Sequence, residues 1–366
     1  MGAEEHLAGA GRLGDPEVLA ARLFRDMAGA LELLTVYLGE RLGLYQALQA
    51  SGPATAAELA ARTGTVERYV REWLEHHAAS GLLEVDDTAA APLERRYSLP
   101  PGHAPVLADI DDVRYEAFKG IEIVRAARWL PEVAASMRRG GAPPPLPWAP
   151  EGRPEFNRAV FLNLLAKQWL PAIADVDLRL RSEPPARVAD LACGTGWSSI
   201  AMAQAYPLIS VDGFDLDPDA IQAARDNAAE TGLADRVTFI AADASGAGVS
   251  GQYDVVTILE ALHDMSRPVD ALRVARGLLR EPGCVIVADE AVEAGFTAPA
   301  SLEEQYHYGW SVVACLPAVM GDPDTAATGA VMRPATLRGY ALEAGFRDLE
   351  ALPVEAGMLR FYRLTP

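Results

Sequence analysis

Cysteine is scarce: the 366 residues contain 3, Cys193, Cys284 and Cys315. Odd in number and widely spaced, they indicate neither a disulfide framework nor a CxxC metal site. Basic residues are short as well, 32 Lys and Arg against 51 Asp and Glu, for a formal charge of −19. That field repels phosphate backbones and anionic lipid heads, so nucleic acid is not an expected partner. Long hydrophobic runs are also missing. No stretch reaches the ~18–20 apolar residues of a membrane span, and the start, Met1-Gly2-Ala3-Glu4-Glu5, lacks the basic-then-apolar order of a signal peptide. The expectation is a soluble, cytoplasmic protein with no membrane partner. Hydrophobic side chains, by contrast, make up 50% of the chain and charged ones 23%, which suits a sizeable core. At roughly 100–200 residues per domain the length suggests two or three domains.

Two halves of different character meet in the Pro-rich stretch from Gly140 to Pro147, which cannot continue a helix. The first half reads as helical. Asp15-Pro16 is a helix start, and the segment from Val18 to Leu48 is apolar at helical spacing, a packing or dimerisation helix that makes a homodimer the expected assembly. Thr55 and Glu58 form a T-x-x-E capping box before a short helix, Thr63-Gly64-Thr65 turns the chain, and a second helix is expected to place Val66, Tyr69, Val70, Trp73 and Leu74 on one face. Leu82–Val85 and Arg96–Leu99 can then pair as the hairpin of a winged helix. From Val66 to Glu75 the would-be recognition helix sets Arg68 and Arg71 against Glu67, Glu72 and Glu75. With no positive excess to neutralise phosphates, the module reads as structural. Helical segments at Val113–Met137 and Phe156–Leu170 carry Tyr115, Phe118, Trp129, Phe156, Phe161 and Trp169, an aromatic set that reads first as core. The expected boundaries are residues 1–110 for the winged-helix and dimerisation domain, 111–180 for linking and pocket helices, and 181–366 for the last domain.

The second half alternates short apolar strands with helix-like segments. The strands read as Arg187–Leu191, Ile209–Phe214, Val237–Ile240, Tyr253–Ile258 and Cys284–Ala288, with a terminal antiparallel pair at Phe346–Leu352 and Met358–Leu364. This predicts an α/β, doubly wound, Rossmann-like sheet that binds its ligand at the carboxyl ends of the strands. The first strand ends in Asp190-Leu191-Ala192-Cys193-Gly194-Thr195-Gly196. Gly194 and Gly196 admit a ligand close to the backbone, and the helix that follows offers free N–H groups. Ser199 stands where a dinucleotide fold has its third glycine. Asp215, at the end of the second strand, suits the two hydroxyls of a ribose. Ala241-Ala242-Asp243-Ala244 puts an acid and a backbone N–H where an adenine edge would sit. A nucleoside with a carboxylate-bearing tail and no pyrophosphate fits this order, which describes S-adenosylmethionine.

On these residues the chain resembles the class I S-adenosylmethionine-dependent methyltransferases. Asp190–Gly196 is similar to their D-x-G-x-G-x-G motif, Gly213-Phe214-Asp215 to the ribose motif and Ala242-Asp243-Ala244 to the adenine motif. Ala192 replaces the first glycine, so that position is expected to keep an ordinary backbone conformation. With the winged helix in front, the chain looks like the small-molecule O-methyltransferases of plants and bacteria and a bacterial group of winged-helix methyltransferases. The likeness spans about Arg187 to Leu364, and less specifically Thr35 to Leu99. It implies a cofactor site built from Asp190, Ala192, Gly194, Gly196, Asp215, Leu216, Asp243, Ala244 and Glu260. It also implies methyl transfer to a hydroxyl of a small, natural-product-like acceptor.

In those O-methyltransferases a Leu-His-Asp segment supplies the general base, and Leu262-His263-Asp264 falls on it. Imidazole titrates near neutrality and suits removal of the acceptor's proton. Asp264 is expected to orient His263, and Glu290 to face the site. The insertion Phe296–Met332, with His307 and several aromatics, reads as a lid or pocket wall. His263, Asp264 and His307 also have the donor types of a two-histidine, one-carboxylate metal centre, as in some keto-acid C-methyltransferases of similar architecture. An ordinary lid histidine is the simpler reading, and no metal is assigned. Carbon or nitrogen methylation, a non-methylating relative that keeps the cofactor, and a cofactor-sensing DNA regulator are the other readings.

Overall fold

The computed structural model describes residues 14–144, 156–246 and 248–366. The chain start and Pro145–Pro147 of the proline-rich stretch lie outside the described residues. The chain divides into two compact units, residues 1–127 and 128–366.

In the first unit, helix α1 (Pro16–Arg41) starts at Asp15, whose carboxylate accepts a 2.9 Å hydrogen bond from Glu17 N. The expected single helix from Val18 to Leu48 is two helices. At Leu42 and Gly43 the chain turns back on α1, with Gly43 at φ +66°, and α2 (Leu44–Ser51) begins. A left-handed glycine ends a helix whatever the hydrophobic pattern around it. The capping box is present: Thr55 Oγ1 accepts from Glu58 N at 3.3 Å and Glu58 Oε2 from Thr55 N at 2.9 Å, opening α3 (Ala56–Thr63). Helix α4 (Glu67–Ala79) buries Val70, Trp73, Leu74 and His77. Val66 and Tyr69, expected on that face, are 61% and 80% exposed. Strands β1 (Glu84–Val85) and β2 (Tyr97–Ser98) form the antiparallel wing, and α5 (Ala104–Leu107) follows. The core gathers Leu44, Tyr45, Leu59, Leu74 and Tyr97. His77 is fully buried in it, its ring 4.1 Å from that of Trp73 and 5.7 Å from that of Tyr45, with no hydrogen-bond partner for either nitrogen among the described residues.

Helix α6 (Phe118–Arg139) runs across the division between the units. In the second unit α7 (Phe156–Val160) continues as a π-helical segment, Phe161–Trp169, that buries Phe161, Leu165 and Trp169. Trp169 packs edge-on against Phe361 with ring centroids 5.5 Å apart. The remaining elements are α8 (Ala174–Arg181), β3 (Arg187–Leu191), α9 (Trp197–Ala205), β4 (Ser210–Asp215), α10 (Pro218–Glu230), β5 (Val237–Ala241), β6 (Tyr253–Leu259), α11 (Pro268–Gly277), β7 (Leu279–Glu290), α12 (Leu302–Trp310), α13 (Leu316–Val319), α14 (Pro334–Glu343), β8 (Asp348–Ala351) and β9 (Leu359–Thr365). They build one seven-stranded sheet in the order β5-β4-β3-β6-β7-β9-β8, parallel except for β9, which is antiparallel to both neighbours. Apolar clusters cover both faces of the central strands, which is why those strands read as continuous apolar runs. The chain reverses its order between β3 and β6, so a crevice opens beyond their carboxyl ends.

Candidate active site

The loop after β3 is organised by Asp190, which is completely buried. Its Oδ2 accepts the hydroxyls of Ser198 (2.5 Å) and Ser199 (2.7 Å), and its Oδ1 that of Thr257 (2.7 Å). Burial pushes its carboxyl above the usual range, and the three hydroxyls pull it back. Asp190 therefore ties β3 to the first turn of α9 and to β6. Ser199, at the place of the missing glycine, is one of the ties.

Ala192 does not keep an ordinary backbone: its φ is +57°. The left-handed conformation costs a residue with a Cβ about 1–2 kcal/mol. The loop imposes it through Cys193 N bonded to Phe214 O at 3.0 Å and Gly196 N bonded to Cys193 O at 2.9 Å. Gly194 and Gly196 are also left-handed, and a Cβ on Gly196 would lie 2.4 Å from Cζ of Phe239. Only glycine fits there, and α9 presents its free N–H groups just beyond it.

Asp215, at the end of β4, accepts Gly194 N on Oδ2 at 2.8 Å and Asp217 N on Oδ1 at 2.9 Å. Each oxygen keeps a lone pair, so the residue both holds the glycine loop and can accept further hydroxyls. Leu216 beside it is 71% exposed. Asp243, after β5, is exposed and caps its own turn by accepting Ser245 N (2.8 Å) and Ser245 Oγ (2.6 Å) on Oδ1, while Ala244 is buried. These residues line the carboxyl ends of three adjacent strands, a cradle that suits a nucleoside.

Next to the cradle lies a cluster of acids and imidazoles. Glu260, just past β6, is also left-handed, at φ +52°. Among the described residues its Oε2 is buried without a hydrogen-bond partner, and burial pushes its carboxyl up to about 7. The turn Leu262–Asp264 follows and buries His263. His263 Nδ1 lies 2.8 Å from Oδ1 of the buried Asp289 at the end of β7, and its backbone N–H donates to Oδ2 at 3.3 Å. Nε2 faces Asp264 at 3.3 Å. Asp289 thus holds Nδ1, while Asp264, the carboxylate expected beside the ring, lies against the other nitrogen. Burial alone would lower the pKa of His263, but the Asp289 and Asp264 carboxylates outweigh it and hold it well above the usual imidazole value.

Helix α12 is capped by Ser301, whose hydroxyl accepts Glu304 N at 3.2 Å. Arg333 straps it down through Glu304 (2.8 Å) and Tyr308 (3.0 Å). His307 on this helix is buried with Nδ1 3.4 Å from Oε2 of Glu290. It does not join His263 and Asp264. The third donor atom near that pair is the thiol of Cys315, all three lying within 4.8 Å of one another. Sequence reasoning missed Asp289 and Cys315. The signal for the first was a carboxylate directly closing the apolar run Cys284–Ala288, ahead of Glu290; for the second there was none.

Residues 182–327 match the family model described as a methyltransferase domain, and residues 29–109 that of an Rv2258c-like winged HTH domain. The chain carries an S-adenosylmethionine-dependent methyltransferase domain. This methyltransferase is 29% identical over 208 residues to the ubiquinone biosynthesis O-methyltransferase of Ralstonia nicotianae, covering 57% of this chain and 79% of the relative. It spans about half the length of further relatives of that name. Human N-acetylserotonin methyltransferase in complex with SAM shares its fold with a TM-score of 0.69 at 18% identity, over 97% of this chain and 99% of that one. The O-methyltransferase of neocarzinostatin biosynthesis, solved with SAM and 2-hydroxy-5-methyl naphthoic acid, does so at 0.57 and 20%, over 97% and 99%. The winged-helix and Rossmann-like expectations hold, as does the cofactor.

Proposed function

We propose that this methyltransferase moves a methyl group to a hydroxyl of a small molecule, with His263 as general base. The observation that carries this reading is the buried His263–Asp289 pair beside the nucleoside cradle. Bound S-adenosylmethionine supplies an electrophilic methyl on a positively charged sulfur. The protein's share is to align the acceptor oxygen and take its proton. A positive charge near the glycine loop disfavours the imidazolium, so Nε2 is freed to accept the hydroxyl proton while Asp289 holds the charge that results. Gly194, Gly196, Leu216, Asp243 and Ala244 would surround the cofactor. Asp190 and Ala192 would shape the loop, and Glu260 would sit between cofactor and acceptor. Two neighbours in fold support the reading: one is a mitomycin 7-O-methyltransferase, and another O-methyltransferase is solved with a hydroxylated naphthoic acid. Incubation with labelled S-adenosylmethionine and a panel of phenols, amines and activated carbons tests the reading. Label on oxygen supports it, and label only on carbon or nitrogen overturns it.

If Asp215 holds the ribose as well as the loop, Asp215→Ala should weaken cofactor binding by about 1–3 kcal/mol in calorimetry. Unchanged affinity would remove it from the cofactor site.

The winged helix does not favour a DNA regulator, because Arg68 pairs with Glu72 at 2.5 Å and Arg71 with Glu67 at 3.3 Å on α4 itself. Its partner is instead a second copy of the chain. Along α1, Ala20, Phe24, Met27, Leu31, Leu34 and Leu38 recur at alternating spacings of 4 and 3 and all are exposed, Phe24 by 80%. A heptad seam of this kind is self-complementary. The protein should run as a dimer in light scattering at micromolar concentration, and Leu31→Glu as a monomer. A monomeric wild type would end the proposal.

A further inference from the structure

Among the described residues, one group of side chains brings three metal-ligating atoms together: a ring nitrogen of His263, a carboxylate oxygen of Asp264 and the thiol of Cys315, all within 4.8 Å of one another. They come from two places in the chain. His263 and Asp264 sit in the turn after β6, and Cys315 closes the π-helical segment Ser311–Cys315 ahead of α13. Asp289 settles which nitrogen is offered. It lies 2.8 Å from Nδ1, so Nε2 is left to face Asp264 Oδ1 at 3.3 Å. With metal bonds of about 2.0–2.1 Å to nitrogen and oxygen, tetrahedral angles around one ion set such a pair of donors about 3.3 Å apart. The two atoms already stand at that spacing.

A carboxylate behind the imidazole is the usual support of a metal-ligating histidine, because it fixes the tautomer and makes the other nitrogen a better donor to the ion. Asp264 is exposed, whereas His263 is buried and Cys315 half-buried, so an ion can enter from solvent and be held below the surface. The donor set selects the metal. One thiolate, one imidazole and one carboxylate suit zinc or cobalt, whereas magnesium and calcium demand more oxygens. The thiol proton, and any proton on Nε2, leave to solvent as the ion binds.

We propose that His263 Nε2, Asp264 and Cys315 form a binding site for a divalent cation of the zinc type, and that its occupancy silences the enzyme. Nε2 has one lone pair, which cannot both hold the ion and take the acceptor's proton. Nor does the ion replace the base, because the thiolate and the carboxylate cancel its two positive charges and weaken its pull on an acceptor oxygen. The site stands on geometry and donor chemistry; only the loss of turnover rests on His263 being the base.

Cobalt makes the site visible. Chelator-treated, dialysed protein titrated with Co2+ should develop a thiolate-to-cobalt charge-transfer band in the near ultraviolet, and Zn2+ should displace it. Cys315→Ser should erase the band and Cys284→Ser should keep it. Asp264→Asn should keep the band and weaken Co2+ binding by roughly 10–100-fold, the range that loss of even an outer partner costs. Absence of the band in the wild type, its survival in Cys315→Ser, or undiminished affinity in Asp264→Asn overturns the proposal. Turnover supplies the second arm: Zn2+ should inhibit the wild type over the concentrations at which it displaces cobalt, and Cys315→Ser should require roughly 10–100-fold more. Faster turnover with zinc bound overturns the silencing. Zinc bound with turnover unchanged overturns the general-base reading and leaves the metal site standing.

Discussion

Replacing His263 with alanine is expected to lower turnover by roughly 10²–10⁴ while cofactor affinity stays nearly unchanged. Among the described residues the polar partners of the ring are Asp289, Asp264 and Cys315, outside the nucleoside cradle, so its loss should register in the chemical step. Its environment also fixes the shape of the pH profile. Asp289 and Asp264 hold the imidazolium above its usual range, so the base is blocked at low pH and the rate of the wild type climbs as pH rises past neutrality. That climb should disappear in His263→Ala. The deficit should shrink for acceptors already ionised at the assay pH, which need no base. Asp289→Asn should reproduce much of the loss, because the amide neither fixes the tautomer nor balances the charge. Full activity of His263→Ala on a neutral hydroxyl acceptor would sink the assignment.

The second large effect lies in the winged-helix unit. His77 is pushed down to about 3 by burial and then by the adjacent His76. In the unfolded chain the same ring titrates near 6.5. A depressed folded value means that the folded state resists protonation. The stability it allows is complete above about 6.5 and drains away as pH falls toward 3. Between pH 7 and 4.5 the loss should come to about 2–3 kcal/mol. Trp73, the only tryptophan before residue 129, packs tilted against this ring and reports the transition by fluorescence in denaturant titrations. His77→Phe keeps the aromatic packing and removes the titration, so its stability should stay nearly flat over that interval. An equal acid slope in the variant would show that other groups carry the effect.

Local signals in the sequence carried much of the fold. The capping box at Thr55 and Glu58, the strand β3 bounds and the acids after β4 and β5 depend on residues within a few positions of one another. What escaped was set by contacts between distant segments. Ala192 is left-handed because Phe214 and Gly196 grip the residue after it, and nothing in its neighbours' identities announces that. Val66 and Tyr69 fit the helical period of α4, yet the core it faces is narrow enough to be filled by Val70, Trp73, Leu74 and His77. Asp264 adjoins His263 in sequence and lies against its Nε2, whereas Asp289, which holds Nδ1, is 26 residues on. For a turn at a strand end, the strand beside it supplies a carboxylate that local sequence does not announce.

The position of β9 bears on how the protein is made. This strand is paired on both flanks, to β7 and to β8, yet residues 359–365 are synthesised after every other strand of the sheet. At translation speeds of about 5–20 residues per second, β7 waits several seconds on the ribosome with the edge that β9 will cover still open. An open strand edge of this kind, apolar from Val285 to Ala288, is a template for foreign strands. The nascent methyltransferase is therefore most exposed to misassembly in the interval just before its last strand emerges, and a chaperone that shields β7 would raise its yield more than one acting on the winged helix.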